Sequence, residues 1–246
     1  MTAAYQADSE SKHVENKEGE DLPVPLPKWF KSDLKEVHLY GSLISPPCVK
    51  VRAVLKFWNV PFEEKSGKPQ NSIYQGMPIL VVNGRQINDS FIILKTLCPI
   101  LTGREMTPAE VELEQMITFG IMPRLEADVA ASCCDLCKCA GLMGCPTCLL
   151  LRCFSCCIPC CGPSMITGQY PGLKSQNFYS SELKRLLGSE QYFNGSEPGI
   201  SDVSLFGLLA GFSESGTDAF SAFFDDDSLR SWHGRMKGKA PKFPFY

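Results

Sequence analysis

Excess charge of either sign is missing from this sequence. Against 27 acidic residues stand 24 Lys and Arg, a net of −3, which gives no electrostatic case for a nucleic acid or an anionic membrane as partner. Nor is an apolar leader expected: the first 33 residues are polar and charged, then broken by Pro23, Pro25 and Pro27. Such a segment cannot bury enough apolar surface to offset its ordering entropy, and the expectation is a disordered tail over residues 1–34, docked through Trp29-Phe30 at most. Nor is there a clean membrane span. Residues 153–173 carry no formal charge, yet Pro159, Gly162 and Pro163 argue against a spanning helix there.

Cysteine, by contrast, is abundant and unevenly placed. Of 13 in the chain, only Cys48 and Cys98 lie outside the segment 133–161. Without a leader, the thiols are expected to be reduced and the chain cytoplasmic. The cysteine-rich segment contains four CxxC spacings: Cys134/Cys137, Cys145/Cys148, Cys153/Cys156 and Cys157/Cys160. Each could form one edge of an all-thiolate zinc site. The segment has no His, however, and many of its intervening residues are apolar (Leu142, Met143, Leu149, Leu150, Leu151, Phe154, Ile158). Those neighbours suit reversible S-acylation, with two or more chains holding the protein peripherally on a membrane. Acylated hairpin, zinc site and inert insert are the three readings, in that order.

The 44% apolar content is that of a globular chain of one large or two small domains. Its organising stretch runs from Val37 to Leu97. Val37-His38-Leu39-Tyr40 reads as a strand. Pro46-Pro47 then opens a helix whose Val51, Val54, Leu55 and Trp58 share a face, with Lys50, Arg52 and Lys56 on the other side. Ile79–Val82, the Asn83-Gly84 turn and Gln86-Ile87 form a hairpin, and Asn88-Asp89-Ser90 caps a helix through Leu97. Pro99 is expected to end that helix.

Thr107 is placed to cap the next helix, whose apolar face is Val111, Met116, Ile117 and Phe119; Arg124–Ala131 resumes after an interruption at Pro123. A loop is expected at Gly168–Gly172. Ser180–Leu187 reads as a helix with Leu183, Leu186 and Leu187 inward, and Ile200–Phe212 as the central buried helix. Asp202 suits the first turn of that helix as a structural carboxylate bonding back toward Gly199. Asp225-Asp226-Asp227 suits the start of a last helix, and Arg235, Lys237, Lys239 and Lys242 read as a solvated basic tail.

The order of elements, with Ser45-Pro46-Pro47-Cys48 at the first turn, Met77-Pro78 before a strand and Asp89-Ser90 at a helix start, resembles the thioredoxin-like domain of glutathione S-transferases. Val51–Leu55, Met77–Val81 and Gln86–Ser90 are most similar to the membrane-associated prostaglandin E synthase type 2 family. Phe193-Asn194-Gly195, Pro198–Val203 and Leu229–Trp232 are similar to the helical domain of that family. The implied architecture is α/β followed by all-α: a thioredoxin-like domain with a mixed β-sheet over 35–101, then a helical C-terminal domain over 105–246 carrying the cysteine-rich insert. That family carries an N-terminal membrane segment, and nothing in residues 1–34 is expected to be one.

The resemblance also implies a glutathione site. Its first-turn nucleophile, the first cysteine of a CxxC motif, is here Ser45, with Cys48 at the second position and Ser42 in place of a family tyrosine. One thiol cannot close its own disulfide, so dithiol chemistry within this turn is excluded. Ser45 is either a hydrogen-bond donor to the glutathione sulfur or simply a helix cap. Cys48 is either a small core residue or the site of a mixed disulfide with glutathione. Met77-Pro78 resembles the cis-proline turn that pairs with the cysteinyl unit, and Asp89-Ser90 the pair that holds the γ-glutamyl end. The implied function is a glutathione-dependent transferase or isomerase acting on a small electrophile or lipid-derived substrate. The alternative is a non-catalytic scaffold tethered, or zinc-bound, through its cysteines. Whether it forms a homodimer is not decided by the sequence.

Overall fold

Four short strands and their helices occupy the first half of the chain, and the elements of the second half are helices among the described residues. The computed structural model describes residues 28–43, 45–70, 72–131, 158–215 and 222–239. Two compact units divide the chain, Met1–Val111 and Glu112–Tyr246.

In the first unit, strand β1 (Val37–Tyr40) leads to helix α1 (Pro46–Phe57), strand β2 (Glu63–Lys65), the hairpin β3 (Ile79–Val82) and β4 (Arg85–Asn88), and helix α2 (Ser90–Thr102). The sheet order is β2-β1-β3-β4, with β1 parallel to β2 and β3 antiparallel to both neighbours. The hairpin turn has positive φ at both Asn83 and Gly84, the primed geometry that matches strand twist. Asn83 also anchors the residues before β1, accepting from the Lys35 and Glu36 N–H groups and donating to the Asp33 carbonyl at 2.7 Å. Lys31–Asp33 accordingly forms a 3₁₀ turn and Leu34 is buried, within the stretch that the sequence assigns to the tail. Residues 1–27 lie outside the described ones. Leu39, Leu80 and Ile87 on the sheet and Val51, Val54, Leu55, Ile93, Leu94 and Leu97 on the helices are buried in the core of this unit.

Three expectations for this unit need correction. β2 has no counterpart in the sequence reading, because a charged three-residue edge strand has no apolar period of its own. Lys50 and Arg52 are buried rather than facing outward. Pro99 does not end α2: the helix runs one turn further and stops at Gly103, whose left-handed conformation lets its N–H reach the Pro99 carbonyl at 3.0 Å.

Helix α3 (Pro108–Met116) begins in a reciprocal cap. The Glu110 N–H donates to Thr107 Oγ1 and the Thr107 N–H to Glu110 Oε2, while Arg104 grips the same carboxylate at 2.6 and 2.7 Å. Pro123 does not interrupt the helical run after α3. A π-helical turn, Ile117–Ile121, carries the chain directly into α4 (Met122–Ala131), widening just ahead of the residue that lacks an N–H. The buried face here is Leu113, Ile117, Ile121 and Leu125, whereas Val111, Met116 and Phe119 are only half-buried.

Helix α5 (Ile158–Gln169) packs on α4 and takes in Gly168, so the loop after it starts at Tyr170. Helix α6 (Gln176–Leu187) is capped by Ser175 and buries Tyr179, Leu183 and Leu187. Helix α7 (Ile200–Ser215) is the buried centre of this unit. Helix α8 (Asp227–Lys239) starts at Asp226, whose carboxylate accepts from the Ser228 and Leu229 N–H groups. It also takes in part of the expected basic tail. Arg235 donates to the Gln191 carbonyl at 2.7 Å and Lys239 pairs with Glu197 near the helix C-terminus, Lys237 is exposed as expected, and Lys242 lies outside the described residues.

Asp202 holds the second unit together at one point. Its carboxylate accepts from the Gly199 and Phe193 N–H groups, both at 2.9 Å, and from Trp232 Nε1 at 2.8 Å. Burial pushes its carboxyl above the usual aspartate range, against the pull of those donors. Removing it strands three buried donors, so Asp202→Ala should lower the unfolding free energy by about 3 kcal/mol or more, read by chemical denaturation. Burial also raises Glu126 to about 7 from an ordinary 4.5. Its neutral form therefore favours the fold at low pH, and that support is lost as pH rises through 7. Unfolding free energy should fall by about 1–3 kcal/mol between those limits, and Glu126→Gln should flatten the fall.

Candidate functional site

Strand register brings the motifs to one edge. Ile79 pairs with Tyr40 on one side and Asn88 on the other, and Tyr40 pairs with Lys65. The ends of β1, β2 and β4 and the start of β3 therefore lie in a row. The turn to Ser45 leaves from the first of them, Met77-Pro78 enters the last, and Asp89-Ser90 comes immediately after β4.

Ser45 is the N-cap of α1, with an extended backbone whose carbonyl accepts from the Val49 N–H at 2.9 Å. Its side chain makes no capping bond. Pro46 and Pro47 occupy the first two helical positions, so among the first three only Cys48 has an N–H to offer. An anion held at this helix start would meet fewer backbone donors than a helix terminus ordinarily supplies. Hydrogen bonding from the Ser45 side chain and the Ser42 backbone favours the charged form of the Cys48 thiol. Cys48 is fully buried, and burial pushes its thiol above the ordinary cysteine value, although those two donors and the Arg52 charge pull it down.

Gly41, directly after β1, is packed against the same sulfur. A Cβ there would overlap Cys48 Sγ and come within 4.0 Å of Met77 Cβ. The first turn of α1 and the Met77-Pro78 turn thus meet at a glycine. The Met77–Pro78 bond is cis, and Met77, Leu43 and Ile73 leave apolar side chains exposed at this end.

Asp89 sits at φ 74°, a costly conformation for a residue with a Cβ, and caps α2 by accepting from the Phe91 and Ile92 N–H groups. Ser90 is the first helical residue. Both are 3% exposed. Gln86, on β4, donates to Ser72 Oγ at 2.7 Å and Asn88 Oδ1 at 2.8 Å, tying the segment before Met77 to that strand.

Sequence reasoning missed Gly41, Arg52 and Glu64. Arg52 is 2% exposed and bonds Glu64 through Nε at 2.9 Å and Nη2 at 3.0 Å. A glycine closing a strand was the available signal for the first; the other two are joined only by the fold. Among the described residues, no group of three or more His, Cys, Asp or Glu is arranged to hold a metal, and no helix is long and apolar enough to cross a membrane. Cys48 and Cys98 are unpaired thiols. Of the cysteine-rich segment 133–161, expected as an acylated hairpin, a zinc site or an inert insert, residues 133–157 lie outside the described ones, and 158–161 form the start of α5.

Residues 39–104 match a family model described as glutathione S-transferase, N-terminal domain. A segment is 34% identical over 87 residues to prostaglandin E synthase 2 of Danio rerio. That match covers 32% of this chain and 23% of the relative, so the chain spans under a quarter of that protein. Among solved structures, a glutathione S-transferase of Xanthobacter autotrophicus superposes with a TM-score of 0.53 at 13% identity, covering 85% of this chain and 97% of that one. A diazinon-metabolizing glutathione S-transferase of the silkworm Bombyx mori gives 0.51 at 16% identity, covering 83% and 92%. A Tau class enzyme of mango, Mangifera indica, gives 0.51 at 17%, covering 87% and 94%. The chain has the glutathione S-transferase fold: a mixed sheet with flanking helices, then a helical region.

The contact at Gly41 can be checked directly. Gly41→Ala should lower stability by about 1–3 kcal/mol, and adding Cys48→Ala should recover part of that loss because the overlapping sulfur is gone. Thermal unfolding of the two variants measures the coupling.

Proposed function

We propose that the chain binds glutathione along the edge formed by Ser45, Met77-Pro78 and Asp89-Ser90, and works as a transferase or isomerase on a small electrophile or lipid-derived substrate. The observation that carries this reading is the register, which places the three motifs in one row. The family model over 39–104 covers that same stretch and supports it.

In this reading the Ser45 hydroxyl turns from Cys48 to the glutathione sulfur. Donating a hydrogen bond there favours the thiolate, and the thiol proton leaves to water. The thiolate then forms a C–S bond to the electrophilic carbon, from which a leaving group departs with its bonding pair. With two prolines at the helix start, the hydroxyl carries more of this stabilisation than the backbone does. The Ser90 hydroxyl and the start of α2 hold the γ-glutamyl carboxylate. The match to prostaglandin E synthase 2 supports an isomerase variant of the same chemistry, with serine where the resemblance places a cysteine.

A scaffold without catalysis is the second reading, and the burial of Asp89 and Ser90 favours it. Calorimetric titration of the reduced chain with glutathione separates the two. The expected result is a millimolar or tighter Kd, weakened by about five- to tenfold in Ser90→Ala, one hydrogen bond's worth. Ser45→Ala should still bind but hold the thiol at a higher pKa. No heat at saturating glutathione would leave the scaffold reading.

A further inference from the structure

We infer that Arg52, anchored by Glu64, is a positioning residue that holds the turn carrying Ser45. This deepens the glutathione reading and rests on it for its catalytic meaning. Arg52 lies in the second turn of α1, pointing back toward the helix start. Its guanidinium donates through Nη1 to the Leu43 carbonyl at 3.1 Å and through Nη2 to the Ser42 carbonyl at 3.5 Å. The other side of the fork meets both oxygens of Glu64. Glu64 is the middle residue of β2 and pairs with Leu39 of β1. The turn after β1 is thus tied to the sheet edge through a buried guanidinium.

The other end of the turn is fixed as well. Pro46 and Pro47 limit backbone rotation immediately after Ser45. With the Ser42 and Leu43 carbonyls drawn toward Arg52, the residues leading into the turn are held against α1, on which Cys48 is buried. A hydroxyl that must meet a ligand sulfur gains from being held near its working position, since small misplacements cost rate. Lysine would keep the charge but not the fork that engages two carbonyls and a carboxylate at once.

Positioning and simple charge make opposite predictions for Glu64→Gln. Removing the anion leaves a less compensated cation near the site, so a field effect alone would lower the pKa of a bound thiol. A loosened turn would raise it. The Glu64 side chain is 33% exposed, which makes this the milder variant, and Arg52→Lys is the stronger one.

The test uses the reduced full chain with two readouts. The first is amide hydrogen exchange without ligand, resolved to the peptide over residues 41–48. The second is NMR titration of cysteinyl-labelled glutathione in the complex. In Glu64→Gln, exchange over 41–48 should quicken by about fivefold or more while 79–82 stays unchanged. Glutathione affinity should stay within about twofold, and the thiol titration midpoint should rise by about half a pH unit or more. Arg52→Lys should move both readouts in the same direction and further. Unchanged exchange in Glu64→Gln, or a midpoint that falls, overturns the inference. If the parent chain fails to bind glutathione, the functional reading falls; quicker exchange over 41–48 would still uphold the clamp on the turn, and unchanged exchange would remove it.

Discussion

Strand β3 is hydrogen-bonded on both sides, and its first residue sets the geometry of the edge along which the candidate motifs lie. Ile79 pairs with the last residue of β1 and the last residue of β4. A slip of one residue in either ladder would turn Leu80 and Val82 to the wrong face and carry Pro78 away from the first turn of α1. The burial of Ile79, Leu80 and Val82 is what prevents that slip. Core packing and site assembly are therefore a single constraint: the residues that fill the centre of the first unit also decide which loops meet.

The parts of the fold legible from the chain alone are those whose signals are local. Positive φ at Asn83-Gly84, the Asp89 side chain reaching two N–H groups and Pro46-Pro47 opening a helix are each written within a few residues. β2 is different in kind. Glu63, Glu64 and Lys65 become a strand because β1 offers an edge, and no periodicity announces that. Lys50 and Arg52 mislead for a related reason: charge on a helix suggests solvent, but Arg52 has a carboxylate waiting on a strand 12 residues along. Pro99 and Pro123 read as breaks because proline forbids one hydrogen bond. The chain absorbs that loss near a helix end in one case and in a widened turn in the other.

The candidate site was legible as a set of motifs, and Ser45, Met77-Pro78 and Asp89-Ser90 lie along one edge. Their mutual support was not legible. The Ser45–Cys48 hydrogen bond, the glycine packed on the sulfur and the Arg52 grip on the turn depend on side chains whose meeting only the folded turn decides. Asp202 shows the same division. Its bond to the Gly199 N–H comes from its position in a first turn, whereas its hold on Trp232, 30 residues later, belongs to the assembled helices.

The π-helical turn changes the angular phase of the long helical run in which it sits. Leu113, Ile117, Ile121, Leu125 and Val129 are all buried, at a strict spacing of four. In an ordinary α-helix each such step overshoots a full turn by about 40°, and four steps would wind the stripe by roughly 160°, nearly to the opposite side. A wider turn at Ile117–Ile121 takes back part of that rotation. Five apolar residues can then stay closer to one side than α-helical phase alone permits. Pro123 thus does more than tolerate the distortion: it sits just past the phase correction that keeps this stripe facing inward.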